Sequence, residues 1–236
     1  VRPTLVLLPG TLCDALLWQP QCAALADEAR CVVGDLTRSA ALAEVARDVL
    51  AQVEGAFALA GLSYGGIVAL EIWRQARQRV QRLALLNTNH RAPSDETRAR
   101  QQALLEMALS GQFREVTTDH LKDRMLAPGH RDHLPLRRTV LQMAENVGLR
   151  GYVNQIKAQL NRPDSTPDLP YITCPTLLLT GAQDTVCPPA LHIEMAGLIP
   201  MARLVVLANC GHLSTLEQPD AVTAALREWL HWEKTA

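Results

Sequence analysis

Aromatic residues make up only 4% of this chain, and its charges nearly cancel at a net −1. A chain so close to neutral lacks the basic face that a nucleic-acid partner requires. Few aromatics and no long apolar lid segment argue against work at a lipid interface. No apolar run approaches the roughly 20 residues of a membrane-spanning helix. Six cysteines (Cys13, Cys22, Cys31, Cys174, Cys187 and Cys210) are scattered without a C-x-x-C. Thiols and histidines do not cluster at ligand spacings, so no metal and no cofactor are expected. The thiols read as reduced core or near-core residues of a cytoplasmic protein. His130 and His133, in a Pro/Gly-flanked stretch, read as surface residues. No secretory leader is expected before the first strand, because Thr4-Leu5-Val6-Leu7-Leu8 is too short and ends in Pro9-Gly10. Internal repeats and low-complexity tails are missing too.

What is present is 48% hydrophobic residues over 236 positions, enough for one α/β domain or one with an inserted lid. Thr4 to Leu8 reads as a fully buried strand. Leu16 to Ala29 reads as a helix, Arg30 to Asp35 as a second strand, and Ala40 to Val53 as an amphipathic helix. Phe57 to Ala60 is a third strand, followed by a helix to about Gln78, and Arg82 to Asn87 is a fourth strand. This alternation implies a parallel sheet with helices on both faces. The rhythm then breaks. Residues 91–168 offer no strand, but helices from Ser94 to Ser110, Phe113 to Met125, Leu136 to Asn146 and Leu149 to Leu160. So long a block is an insertion rather than a loop. It is expected to lie over the carboxyl edge of the sheet. Its apolar residues (Leu104, Leu105, Met107, Leu109, Met125, Leu126, Met143, Val147, Tyr152 and Ile156) are expected to face the main domain. Residues 1–90 and 169–236 form that main domain. Strands at Pro175 to Gly181 and Ala202 to Leu207 resume the rhythm, with helices at Pro189 to Leu198 and Glu217 to Trp232.

The chemistry centres on Gly61-Leu62-Ser63-Tyr64-Gly65, placed between a strand and a helix. The pentapeptide alone recurs by chance. In this setting it describes a sharp turn that lifts Ser63 clear of the sheet. Side chains at 61 and 65 would collide with the neighbouring strand and helix. A serine needs a base poised near neutrality. Of seven histidines, His212 follows a buried strand in Asn209-Cys210-Gly211-His212. His90 also follows a strand and is second choice; a pocket-lining or surface role suits it better. The base needs a carboxylate to orient it. Asp184, in Gly181-Ala182-Gln183-Asp184, lies at the same edge, and a turn or cap is its competing role. The end of the fourth strand carries Asn87, which has no charge, and Asp35 lies on the other side of Ser63. Two main-chain donors are also needed for an oxyanion. Tyr64 is one, and Thr11 is the other, with Leu12 as the alternative. Leu17, Trp18, Tyr64, Met125, Leu126 and Leu213 are candidates for the pocket, with core packing as the competing role. Arg137-Arg138 are candidates for an anionic substrate or a solvated face.

These residues resemble the α/β-hydrolase superfamily nearly end to end. Gly61 to Gly65 is similar to its nucleophile elbow, Gly181 to Asp184 to its acid loop, Gly211-His212 to its histidine loop and residues 91–168 to its helical cap. Pro9-Gly10-Thr11 is similar to its His-Gly-x oxyanion loop, with Pro9 in place of the histidine. The family's leading antiparallel hairpin is missing, so a six-stranded, all-parallel sheet is expected. The resemblance implies a serine hydrolase of small esters or thioesters. An acyltransferase, perhydrolase or C–C hydrolase using the same triad is the alternative, and a non-catalytic binder the third reading. Serine rather than aspartate at the elbow argues against dehalogenase and epoxide hydrolase chemistry. Leu213, where hydroxynitrile lyases carry lysine, argues against that activity. A small-molecule substrate is the expected partner, with no nucleic acid or membrane, and the chain a monomer or homodimer.

Overall fold

Short leucine- and valine-rich runs become strands because both their faces can be covered. The computed structural model describes residues 2–232, and the side chains of all of these but 119–123. Strands β1 (Thr4–Leu8), β2 (Arg30–Val33), β3 (Phe57–Leu62), β4 (Val80–Leu86), β5 (Thr176–Gly181) and β6 (Ala202–Leu207) form one sheet in the order β2-β1-β3-β4-β5-β6. Every pairing is parallel. The strand order reverses at β1, so β1 and β3 flank the crevice where open α/β sheets bind ligands.

Helices α1 (Gln19–Ala24), α2 (Leu42–Leu50) and α3 (Tyr64–Ala76) connect the first four strands. Between β4 and β5 come α4 (Asp95–Met107), α5 (Phe113–Glu115), α6 (Lys122–Met125) and α7 (Leu134–Leu160). Helices α8 (Pro189–Leu198), α9 (Ser214–Glu217) and α10 (Pro219–Leu230) complete the chain. Alternate strand residues feed two cores. Val6, Leu8, Phe57 and Leu59 pack with Val45, Val68 and Met195 on one face. Leu5, Leu7, Ala58, Ala60 and Leu62 pack with Trp18, Leu226 and Trp229 on the other. Each fully buried leucine of this kind contributes roughly 1.5–3 kcal/mol.

Several expected helices are shorter or broken, each for a local reason. Pro20 has no N–H to continue a turn begun at Leu16, so Ala15–Trp18 forms a 3-10 turn and α1 restarts at Gln19. The closing helix expected from Glu217 to Trp232 is α10, which begins at Pro219, where the missing N–H ends the short α9 before it. Phe113 to Met125 is interrupted by a wider π turn over Val116–Leu121. There the Thr117 and Thr118 hydroxyls both donate to the Arg114 carbonyl, at 2.8 and 3.0 Å. Such back-bonding competes with the regular ladder. The two helices expected around residue 148 meet at Gly148, whose φ of 66° and ψ of 175° only glycine adopts comfortably.

Ser94 caps α4 by accepting from the Thr97 N–H at 3.2 Å. Among the described residues no strand lies between β4 and β5. This block is tied to the rest by apolar contact. Met125, Leu126, Leu136, Val140 and Met143 join the core beneath α1 and α10. Ala108, Val116, Ala144, Tyr152 and Ile156 form a third cluster with Leu12. Leu109, expected to face inward, is 59% exposed, because Gly111 (φ 97°) turns the chain just after it. Among the described residues no helix is long and apolar enough to cross a membrane.

Candidate active site

Ser63 sits between the last residue of β3 and the first of α3, at φ 56° and ψ −117°. That backbone conformation costs on the order of 1–3 kcal/mol and survives only where the surroundings dictate it. Here the Ser63 N–H donates to the Leu86 carbonyl of β4 at 2.9 Å. The Ser63 carbonyl accepts from the Gly66 and Ile67 N–H groups at 2.9 and 3.2 Å. It also accepts from the Thr88 hydroxyl at 2.6 Å. The flanking glycines are required by contact. A Cβ at Gly61 would stand 2.2 Å from the Gly65 carbonyl oxygen, and one at Gly65 would stand 2.1 Å from that of Leu8.

The loops after β5 and β6 bring Asp184 and His212 to this turn. His212 Nε2 lies 2.9 Å from Ser63 Oγ, and its Nδ1 lies 2.8 Å from Asp184 Oδ2. Both partners of Ser63 are buried. Asp184 is fully engaged. Its Oδ2 also accepts from Asn87 Nδ2 at 3.0 Å, and its Oδ1 accepts from the Val186 and Cys187 N–H groups at 2.8 and 2.9 Å. Burial pushes the Asp184 pKa up, but the His212 charge and these hydrogen bonds outweigh it and hold the carboxyl below its usual range. Asn87 thus stands beside the acid. Its own side-chain oxygen accepts from Ser214 at 2.6 Å, and its amide also donates to the Gly211 carbonyl at 3.0 Å.

His90 takes neither of the roles considered for it. It is buried to 1% exposure beside Glu194, 3.5 Å away, and lines no part of the Ser63 cavity. Desolvation holds its pKa down. His133 is exposed and caps α7, whereas His130 is half-buried against Glu217.

The loop after β1 closes the third side. Its turn is fixed by the Cys13 N–H donating to the Gly10 carbonyl at 3.2 Å. Leu12 takes a positive φ of 57°, and its N–H donates to Gln155 Oε1 of α7 at 2.9 Å. That bond engages the alternative oxyanion donor, leaving Thr11 as the candidate. The Thr11 hydroxyl accepts from Gln159 Nε2, one helical turn further along α7, at 3.0 Å.

A cavity of about 100 Å³ opens on Ser63, His212 and Thr11. Leu104, Met125, Tyr152, Ile156 and Val186 supply its apolar wall, and Arg100, Gln101, Arg124 and Gln159 its polar one. Of the pocket residues expected from sequence, Met125 alone lines it. Leu17, Trp18, Leu126 and Leu213 point into the sheet-face core, between 0% and 3% exposed, and Tyr64 is buried on the opposite face. Position after a strand brings a residue near the site, but side-chain direction decides between cavity and core. Arg137 and Arg138 likewise lie outside the cavity lining.

One residue that sequence reasoning passed over holds the site together. Glu217 ends α9 with its side chain fully buried. Its Oε1 accepts from the N–H groups of Gly211 and Leu213, on either side of His212, at 3.1 and 3.2 Å. Its Oε2 accepts from the Ala127 N–H at 2.8 Å and lies 2.9 Å from His130 Nδ1. The Met125 carbonyl completes the tie by accepting from the His212 and Leu213 N–H groups at 3.0 and 3.2 Å. The only sequence signal was an acidic residue five positions after the histidine. A glutamate near a helix end is so ordinary that it draws no notice.

Among the described residues no group of three or more His, Cys, Asp or Glu is arranged to hold a metal ion. The chain is similar to the (E)-2-((N-methylformamido)methylene)succinate hydrolase of Acinetobacter baylyi, at 26% identity over 176 residues, covering 73% of this chain and 64% of that protein. It is similar to the pimeloyl-[acyl-carrier protein] methyl ester esterase of Neisseria meningitidis, at 26% identity, covering 80% of this chain and 74% of the relative. Among solved structures, a malate-bound thermophilic esterase from Thermogutta terrifontis superimposes with a TM-score of 0.88 at 31% identity, over 97% of this chain and 90% of that one. These relatives are hydrolases and esterases, and a family model matches residues 5–225: the chain belongs to the alpha/beta hydrolase family.

Proposed function

We propose that the protein is a serine hydrolase that cleaves a small-molecule carboxylic ester or thioester through an acyl-enzyme on Ser63. The observation that carries this reading is the continuous row from Asp184 Oδ2 to His212 Nδ1 at 2.8 Å and from His212 Nε2 to Ser63 Oγ at 2.9 Å. Ser63 Oγ attacks the carbonyl carbon while His212 Nε2 takes its proton. Asp184 fixes the imidazole tautomer and faces the positive charge that forms. The main-chain N–H groups of Thr11 and Tyr64 hold the oxyanion, an interaction whose loss typically costs roughly 3 kcal/mol. His212 then returns the proton to the departing alcohol or thiol. Water, deprotonated by His212, attacks the acyl carbon, releases the acid and regenerates Ser63. The esterase and methyl ester esterase among the relatives support ester cleavage.

The test is Ser63→Ala assayed with p-nitrophenyl acetate and a fluorophosphonate probe. Turnover is expected to fall by at least about 10⁴-fold, and labelling to vanish. Labelling that persists in the variant would sink the assignment of Ser63.

A further inference from the structure

We propose that the Ser63 cavity selects substrates bearing a carboxylate, gripped by Arg124 and Arg100. The inference rests on the hydrolase reading for its chemistry, though not for binding. Both arginines come from the helices between β4 and β5, Arg100 from α4 and Arg124 from α6, and both line the cavity that opens on Ser63 and His212. Arg124 immediately precedes Met125, whose carbonyl holds the His212 main chain.

Two observations point to an anion here. First, Arg100 and Arg124 are the two arginines that line the cavity; of the chain's other arginines, Arg38, Arg47, Arg74, Arg91, Arg203 and Arg227 form ion pairs with Asp or Glu among the described residues. Among the described residues neither Arg100 nor Arg124 does so. Second, the two guanidinium groups repel each other. The Arg124 pKa is held down first by burial and then by the Arg100 charge, which outweigh the opposing pull of Asp184 and Cys187. Two like charges lining one cavity repel each other, and a bound anion relieves that repulsion.

The rest of the cavity bounds the substrate's shape. Leu104, Met125, Tyr152 and Ile156 give the same cavity an apolar lining. At about 100 Å³ the cavity holds a short alkyl chain. A carboxylate suits it better than a phosphate. Phosphates are commonly cradled by main-chain N–H groups at a helix N-terminus. The main-chain donors beside Ser63, those of Thr11 and Tyr64, are the ones proposed above to hold the oxyanion. A planar guanidinium fork matches a carboxylate through two parallel hydrogen bonds. The reaction itself is ordinary ester hydrolysis: the acyl carbon–oxygen bond breaks, water supplies the hydroxyl, and a dicarboxylic acid and an alcohol leave.

The experiment uses glutarate and its half-ester. Calorimetric titration of glutarate into wild type and Ser63→Ala is expected to give saturable binding. In the double variant Arg100→Gln/Arg124→Gln the affinity is expected to fall by about 10- to 100-fold. In parallel, kcat/KM is measured for methyl hydrogen glutarate and for its neutral amide analogue, methyl 4-carbamoylbutanoate. Wild type is expected to favour the anion by about tenfold or more, and the double variant to bring that ratio towards one. Arg124→Lys, which keeps the charge, is expected to retain part of the preference, which separates lost charge from lost fold. Absence of saturable glutarate binding to wild type, or a ratio that the double substitution leaves alone, overturns the proposal. Inorganic phosphate that competes as strongly as glutarate overturns the assignment to carboxylate. Glutarate binding through the arginines, without ester turnover or fluorophosphonate labelling, leaves this site standing and removes the hydrolase reading instead.

Discussion

Two buried carboxylates grip the His212 loop in different ways. Asp184 meets the imidazole, and Glu217 meets the main chain on either side of it. Asp184 was legible in the sequence because its position after β5 fixes which edge it occupies. Glu217 was not, because its role depends on the direction of one side chain into a space that only the fold creates. Glu217→Gln tests its importance. The amide keeps the shape, but its NH₂ faces an N–H or the His130 ring, leaving buried donors unpaired at a cost of about 1–3 kcal/mol. A drop of that size in urea-unfolding stability is expected, together with a lower kcat on ester substrates. Lost stability with an unchanged kcat would make Glu217 a structural tie without influence on His212. Ser63 was legible for a related reason: its glycine neighbours mark a close approach that later appears as the Leu8 and Gly65 carbonyls.

Among the elements, α7 does most to shape the site. It presents Gln155 and Gln159 to the loop after β1, and Tyr152 and Ile156 to the cavity. Its direction is set by the kink at Gly148, where a Cβ would meet open space but an unfavourable backbone conformation. Gly148→Ala is therefore expected to cost about 1–3 kcal/mol through backbone strain alone. Chemical denaturation measures it, and an unchanged midpoint would mean that residue 148 relaxes to ordinary helical angles at no cost. Glycine and proline made the breaks at Gly148, Pro20 and Pro219 traceable to the sequence. The π turn over Val116–Leu121 had no such marker, since the threonines that favour it are also common in regular helices. Strand positions were clearer, because apolar runs bounded by polar loops fit a sheet buried on both faces.

The molecule as a whole carries a built-in response to acid. His192 of α8 is buried, and its neutral ring accepts from the Thr88 N–H at 3.3 Å, while the Thr88 hydroxyl supports Ser63. Burial lowers its pKa from 6.5 to about 4. Below pH 6.5 the unfolded chain takes up a proton that the folded protein refuses. Stability therefore declines as the pH falls from about 6.5 to about 4, then levels off. Between pH 7 and pH 5 the wild type is expected to lose about 2 kcal/mol more than His192→Gln. Parallel urea titrations check this, and equal losses would assign the acid response to other groups. Substitution at a larger scale meets a different constraint. The block between β4 and β5 looks like a module that could be traded for a relative's to change specificity. Yet Met125 and Ala127 within it hold the His212 loop through the Met125 carbonyl and Glu217. A chimera made by exchanging that block would alter proton transfer along with recognition, unless the graft also reproduced those main-chain positions.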